Sequence, residues 1–259
     1  MRYIRTVDEA KTLPTGHPGL QAKLLSHQES AMIFNAKVSE GGRAAGMHYH
    51  DRDQVYFQLF GTMTAQLAGD VHKIGPNTLV YIPAGLPHCN WNEGPGDEGH
   101  LEVIAPATQI GAPLAHMVDP GESATEWASL GPATIVKVDD LDLNETDDGV
   151  RRRNLIGLLQ SEAVSIDYVV LPSGAAWPEA RIHHADKQYF VLSGHLGLQI
   201  ALTPHVAGPD TLITLPAGVP HRIVNSGSEA AVILEMTTSV GASDSLTAPS
   251  VGVSLSEIT

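Results

Sequence analysis

With 259 residues, 42% of them hydrophobic and 17% charged, the chain has the composition of a folded protein of one large or two ordinary domains, not of a disordered one. Fifteen Lys and Arg stand against 29 Asp and Glu, and a formal net charge of −14 repels phosphate backbones and anionic lipid surfaces, which argues against nucleic acid and membrane as partners. The single cysteine, Cys89, rules out an internal disulfide and fits a reducing cytoplasm.

In chain order, the N-terminus MRYIRTVDEAK lacks the apolar core of a signal peptide, and no uninterrupted apolar run is long enough to span a bilayer. The first informative stretch is GMHYHDRDQVYFQLFG, from Gly46 to Gly61. Period-two alternation puts His48 and His50 on one face of a strand, and Gln54 precedes a second β-rich run, Val55 to Leu59. Tyr56 and Gln58 share the parity of Gln54 and can line the same interior. The run Thr78–Ile82 leads into Pro83-Ala84-Gly85-Leu86-Pro87, a tight turn that aims His88 inward. Cys89 then alternates to the opposite face, as a core thiol. Glu102, within His100–Ile104, reaches the first pocket as a base if its strand faces inward.

Between Ile110 and Ala133 the composition turns to Gly, Pro, Ser and Ala, with one helical turn expected at Ser123–Leu130. We place the domains at residues 1–110 and 133–259, with a linker at 111–132. Asp139 to Asp148 reads as a loop, and Arg151-Arg152-Arg153 as surface or interface ion-pairing residues. The runs Ile166–Leu171, Gln188–Leu192 and Val232–Leu234 are β-rich again, and with the 25 Gly and 17 Pro they give the rhythm of an all-β barrel or double-sheet sandwich.

The two halves repeat. Gly75–Asn92 reads GPNTLVYIPAGLPHCNWN and Gly208–Asn225 reads GPDTLITLPAGVPHRIVN, with ten of eighteen positions identical at a constant offset of 133. The same offset pairs Gly61 with Gly194 and Gln66 with Gln199.

The motifs resemble those of the cupins and, because they occur twice, of the bicupins. Gly42, His48, His50, Gln54 and Gly61 occupy the places of the first cupin motif, with Gln where Glu is usual. Pro83, Gly85, His88 and Asn92 match the second motif, as do Pro216, Gly218, His221 and Asn225. Asn77 and Asp210 stand where a glycine is usual. The resemblance implies two tandem double-stranded β-helix (jelly-roll) domains, a small-molecule substrate and a homodimer. It also implies one divalent transition metal per chain in the first domain (Fe, Mn, Ni, Zn or Cu), held by His48, His50, His88 and Gln54. Gln54 serves either as a weak fourth ligand or as a hydrogen-bonding group behind the ligands.

Applying the offset pairs His48 with Arg181, His50 with His183, Gln54 with Lys187 and His88 with His221, so the second pocket carries positive charge where a cation would bind. On that register the second domain has lost its metal, and its pocket holds an anion or is filled by structural contacts. A slipped register would use His184, Gln188 and His221 instead. Cupins of this kind include dioxygenases of diketones and flavonols and non-oxidative isomerases and cyclases. The expected function is a metal-dependent dioxygenase acting on an enol, diketone or phenol. The alternatives are a metal-assisted isomerase or cyclase, or a metal-free bicupin that binds a small ligand.

Overall fold

Short β-branched and aromatic runs closed by turn residues cannot bury one face alone, so they pair into sheets that cover each other. The computed structural model describes residues 2–118, 131–146, 149–177, 179–240, 246 and 248–253, and the helical turn expected at Ser123–Leu130 lies outside them. Among these residues no helix is long and apolar enough to cross a membrane. The fold is all-β, in two compact units: Ala10–Asp140, and Met1–Glu9 together with Leu141–Thr259.

In the first of these, a seven-stranded antiparallel sheet runs in the order Thr134–Lys137, Thr78–Ile82, Asp53–Phe60, Glu98–Ala105, Met32–Val38, Leu20–His27, Lys11–Leu13. Its five-stranded companion runs His116–Met117, His48–Tyr49, His88–Trp91, Met63–Leu67, Asp70–Ile74. The unit completed by Leu141–Thr259 repeats this plan, with Asp186–Ser193, Thr211–Leu215, His221–Val224 and Ala231–Thr238 shifted by 133 residues from their counterparts.

The edge strands are not where the sequence put them. Thr134–Lys137, expected in the second domain, pairs with Thr78–Ile82, whereas Ile4–Thr6, from the far N-terminus, pairs with Thr211–Leu215. The acidic stretch expected as a loop also contains a short strand, Asn144–Glu145, paired with Arg151 and Arg152.

Backbone geometry explains several shared positions. Asn77 and Asp210 both adopt φ +56°, the left-handed region where glycine is commonest and Asn and Asp are the tolerated substitutes. Gly61 and Gly194 have φ +67° and +74°, and a Cβ at Gly61 would stand 2.5 Å from the Asp97 carbonyl oxygen. Asn92 and Asn225 are straps, not ligands: Asn92 Nδ2 donates to the Val38 and Gly96 carbonyls, and Asn225 Nδ2 to those of Leu171 and Glu229. Asp53 and Asp186 accept from the amides of Ala84 and Ala217, holding the two Pro-Ala-Gly turns in the same pose.

Candidate metal centre

His48 and His88 are cross-strand partners, and the amide of Gly85 donates to the His50 carbonyl at 2.8 Å, so the turn before His88 is fastened beside His50. The three imidazoles therefore meet. Their centroids are 4.5–5.3 Å apart, one ligating nitrogen of each lies within 4.8 Å of the others, and all three side chains are buried.

Each ring is held the same way. Nδ1 of His48, His50 and His88 lies 2.7, 2.6 and 2.8 Å from the carbonyls of Gly46, Leu114 and Leu86. A carbonyl only accepts, so each Nδ1 carries the proton and each Nε2 presents its lone pair. Nε2 of His50 and of His88 is buried with no hydrogen-bond partner. Such lone pairs, left unmet in a buried place, are costly unless a cation takes them. Burial first, and neighbouring imidazoles second, depress His88 well below the usual histidine value; burial likewise lowers His48. The lowered His48 and His88 favour the neutral imidazole that a metal binds, and with the free Nε2 of His50 these residues fit a divalent transition metal. The carbonyl that orients His50 belongs to Leu114, inside the stretch expected as a linker.

Gln54 Nε2 donates to Glu102 Oε1 at 2.6 Å, which fixes the amide because a carboxylate cannot donate back. Gln54 Oε1 is left buried without a partner. Glu102, Gln54, Tyr56, His48 and His50 line one cavity of about 290 Å3, roughly twice the volume that encloses a benzene ring. Cys89, expected as a core thiol, is half-buried instead, and burial pushes its pKa up.

The second pocket follows the unslipped register: Arg181 pairs with His221 across strands as His48 does with His88, and His184 is exposed. Gln188 gives its amide to Thr238. Lys187, at the Gln54 position, donates to Glu235 Oε1 at 2.6 Å and Thr237 Oγ1 at 2.7 Å. Glu235 occupies the Glu102 position and also binds Arg152 Nη2 at 2.6 Å. The middle arginine of the run expected to ion-pair does so, to Glu235 and Asp167, with its side chain still partly exposed. Burial alone would raise the Glu235 carboxyl, but Lys187 and Arg152 outweigh it and hold the group at about 2. Arg181 lies over the Trp177 ring at 4.6 Å. His183, stacked on His221, is lowered to about 3 by burial, then by Lys187. His221 keeps no free lone pair: Nδ1 lies 3.0 Å from the Val219 carbonyl, and the Tyr189 hydroxyl lies 3.0 Å from Nε2. Among the described residues, the three-histidine convergence is found only around His48, His50 and His88.

A family model described as a cupin domain matches this chain twice, over residues 35–104 and 167–237. No curated protein sequence matches it significantly. AerE from Microcystis aeruginosa has a similar structure, with a TM-score of 0.67 and 13% identity over 89% of this chain and 97% of that one. Oxalate decarboxylase from Bacillus subtilis, solved at pH 4.6, gives a TM-score of 0.68 and 14% identity over 97% of this chain and 78% of that one. Another structure of that enzyme is described by its Mn(II) centres. At such identities the likeness is one of fold.

Proposed function

The chain belongs to the cupin family, and from that premise we propose that it is a metal-dependent enzyme that acts on a small oxygenated substrate, with dioxygenation of an enol, diketone or phenol as its reaction. The observation that carries this reading is the set of three imidazoles, each fixed through Nδ1 so that Nε2 faces a common point. His48, His50 and His88 would hold the ion, with the Gln54 carbonyl oxygen as an additional neutral donor. A divalent ion held by neutral ligands keeps its full charge, so it would supply Lewis-acid polarisation of a bound oxygen and open positions for O2. The Mn(II) of the bacillary decarboxylase makes manganese one of the first ions to test.

The protein's own part is proton transfer and enclosure. Glu102, oriented by the Gln54 amide, accepts the acidic proton of an enol or phenol entering the cavity. Phe34, Leu20 and Leu114 give the same space an apolar lining. A carboxylate so close to the imidazoles favours a second reading, non-oxidative isomerisation or cyclisation, in which Glu102 returns the proton to a different atom.

Metal-loaded protein offered diketones and catechols should consume oxygen in an oxygen electrode. Turnover that continues under nitrogen replaces the first reading with the second. Protein purified without chelators that carries no metal refutes both and leaves a ligand-binding bicupin. Glu102→Gln should keep the metal and lose at least about a hundredfold in turnover.

A further inference from the structure

Four interior positions differ in kind between the two units. Gln58, Asn90, Glu98 and His100 are buried in one, and the offset of 133 places Val191, Ile223, Ala231 and Ile233 at the same points of the other. Those four sister residues all belong to a single apolar core cluster. The cross-strand register agrees, since Gln58 faces His100 just as Val191 faces Ile233. The fold is therefore built and closed with hydrocarbon at these points, and the polar set answers no architectural demand.

The polar groups are organised. Glu98 Oε2 accepts from Gln58 Nε2 at 3.0 Å and from His100 Nδ1 at 3.1 Å, with the two ionisable side chains almost wholly buried. Glu98 Oε1, Gln58 Oε1 and Asn90 Nδ2 are buried with no partner. Of the Gln58–Glu98–His100 trio, only His100 reaches the wall of the cavity lined by Glu102, His48 and His50, and Asn90 lines it too. With Nδ1 taken by Glu98, the Nε2 of His100 is the nitrogen left for an occupant. Burial alone would depress this imidazole, but the Glu98 carboxylate against it more than offsets that and raises it above the usual histidine value. The Tyr56 ring stands 5.0 Å from His100 and 6.3 Å from His88 between centroids, so the His100 and His88 rings lie no more than about 11 Å apart, and His100 shares the cavity wall with Tyr56, His48 and His50.

We propose that His100, oriented by Glu98 and Gln58, forms a second, hydrogen-donating pole of the cavity that binds a carboxylate of the substrate, whose other oxygens face His48, His50 and His88. This rests on the metal-dependent reading for the far end of the substrate, but its own pole is tested without turnover. The class implied is a compact carboxylic acid with further oxygens, small enough for about 290 Å3. Asn90, with its unpartnered amide nitrogen, adds a neutral donor on the same wall.

Malonate is the probe. Protein labelled with 15N-histidine is titrated with it, metal-free and zinc-loaded, and the His100 resonances are assigned from the His100→Gln variant. Saturable shifts at His100 Nε2 are expected in both forms, and His100→Gln should weaken malonate about tenfold or more with metal content unchanged. The triple variant Gln58→Val, Glu98→Ala, His100→Ile installs the sister unit's residues. It should melt at or above the wild-type temperature and lose malonate binding, which a merely structural role would not produce. Unshifted His100 signals, or unchanged malonate affinity in either variant, overturn the proposal. Wild-type protein that binds no metal but still shifts His100 ends the metal-dependent reading and leaves this one standing.

Discussion

Replacing Glu235 by Gln removes the anion that Lys187 and Arg152 share in the second unit. The carboxyl is held at about 2 against an ordinary value of 4.5, and at about 1.4 kcal/mol per unit this amounts to roughly 3 kcal/mol. The figure agrees with the ~3–5 kcal/mol typical of removing one partner from a buried ion pair, here with Lys187 only 11% exposed at its side chain. Because the folded-state value is depressed, the contribution is complete above about pH 4.5 and disappears as pH falls through about 2. Urea unfolding followed by circular dichroism should therefore give Glu235→Gln a deficit of roughly 3 kcal/mol at pH 7, narrowing to about 1.5 kcal/mol at pH 3. The pH 7 deficit corresponds to a Tm drop on the order of 10 °C. A deficit that stays constant from pH 7 to pH 3, or stays below about 1 kcal/mol throughout, would refute the idea that this ion pair replaces the metal as the charged centre of the second unit.

Elemental analysis should find metal lost from His50→Ala and retained by His183→Ala; equal loss from both would mean that the second pocket also takes part. Gly61→Ala should destabilise the protein by at least about 2 kcal/mol in thermal melts, because the added Cβ meets backbone at 2.5 Å in a left-handed conformation. Gly75→Ala, with open space around its Cβ, should stay within about 0.5 kcal/mol, and similar losses at the two sites would contradict the steric account.

Period-two alternation was enough to place His48 and His50 together, and the Pro-Ala-Gly turn enough to bring His88 to them, because both are local geometry. The constant offset likewise identified Lys187 as the residue at the Gln54 position. Its partners are less accessible: Glu235 lies on a distant strand, and although ion pairing is expected of Arg152, nothing local names Glu235 as its partner. Of the Gln58–Glu98–His100 set the alternation picks out Gln58 alone, which is buried behind the cavity wall and not on it, although a signal for the others exists. Aligning the halves shows Glu and His at 98 and 100 where Ala and Ile stand at 231 and 233, and a polar-for-apolar exchange at inward-facing positions of a repeat marks added chemistry. The edge strands could not be placed from sequence, because a pairing between residues 4–6 and 211–213 leaves no local trace.

Those edge strands govern how the chain can be divided. A cut after residue 132, where composition alone suggests a seam, would strip Thr134–Lys137 from the seven-stranded sheet that carries Gln54 and Glu102, and Ile4–Thr6 from the corresponding sheet of the other unit. Each fragment would present a bare row of amides and carbonyls along Thr78–Ile82 or Thr211–Leu215, a template for sticking to any passing strand. A cut after Asp140 spares the seven-stranded sheet of Ala10–Asp140, and the remainder then needs only the chain's first nine residues restored, which a circularly permuted chain or an added peptide can supply.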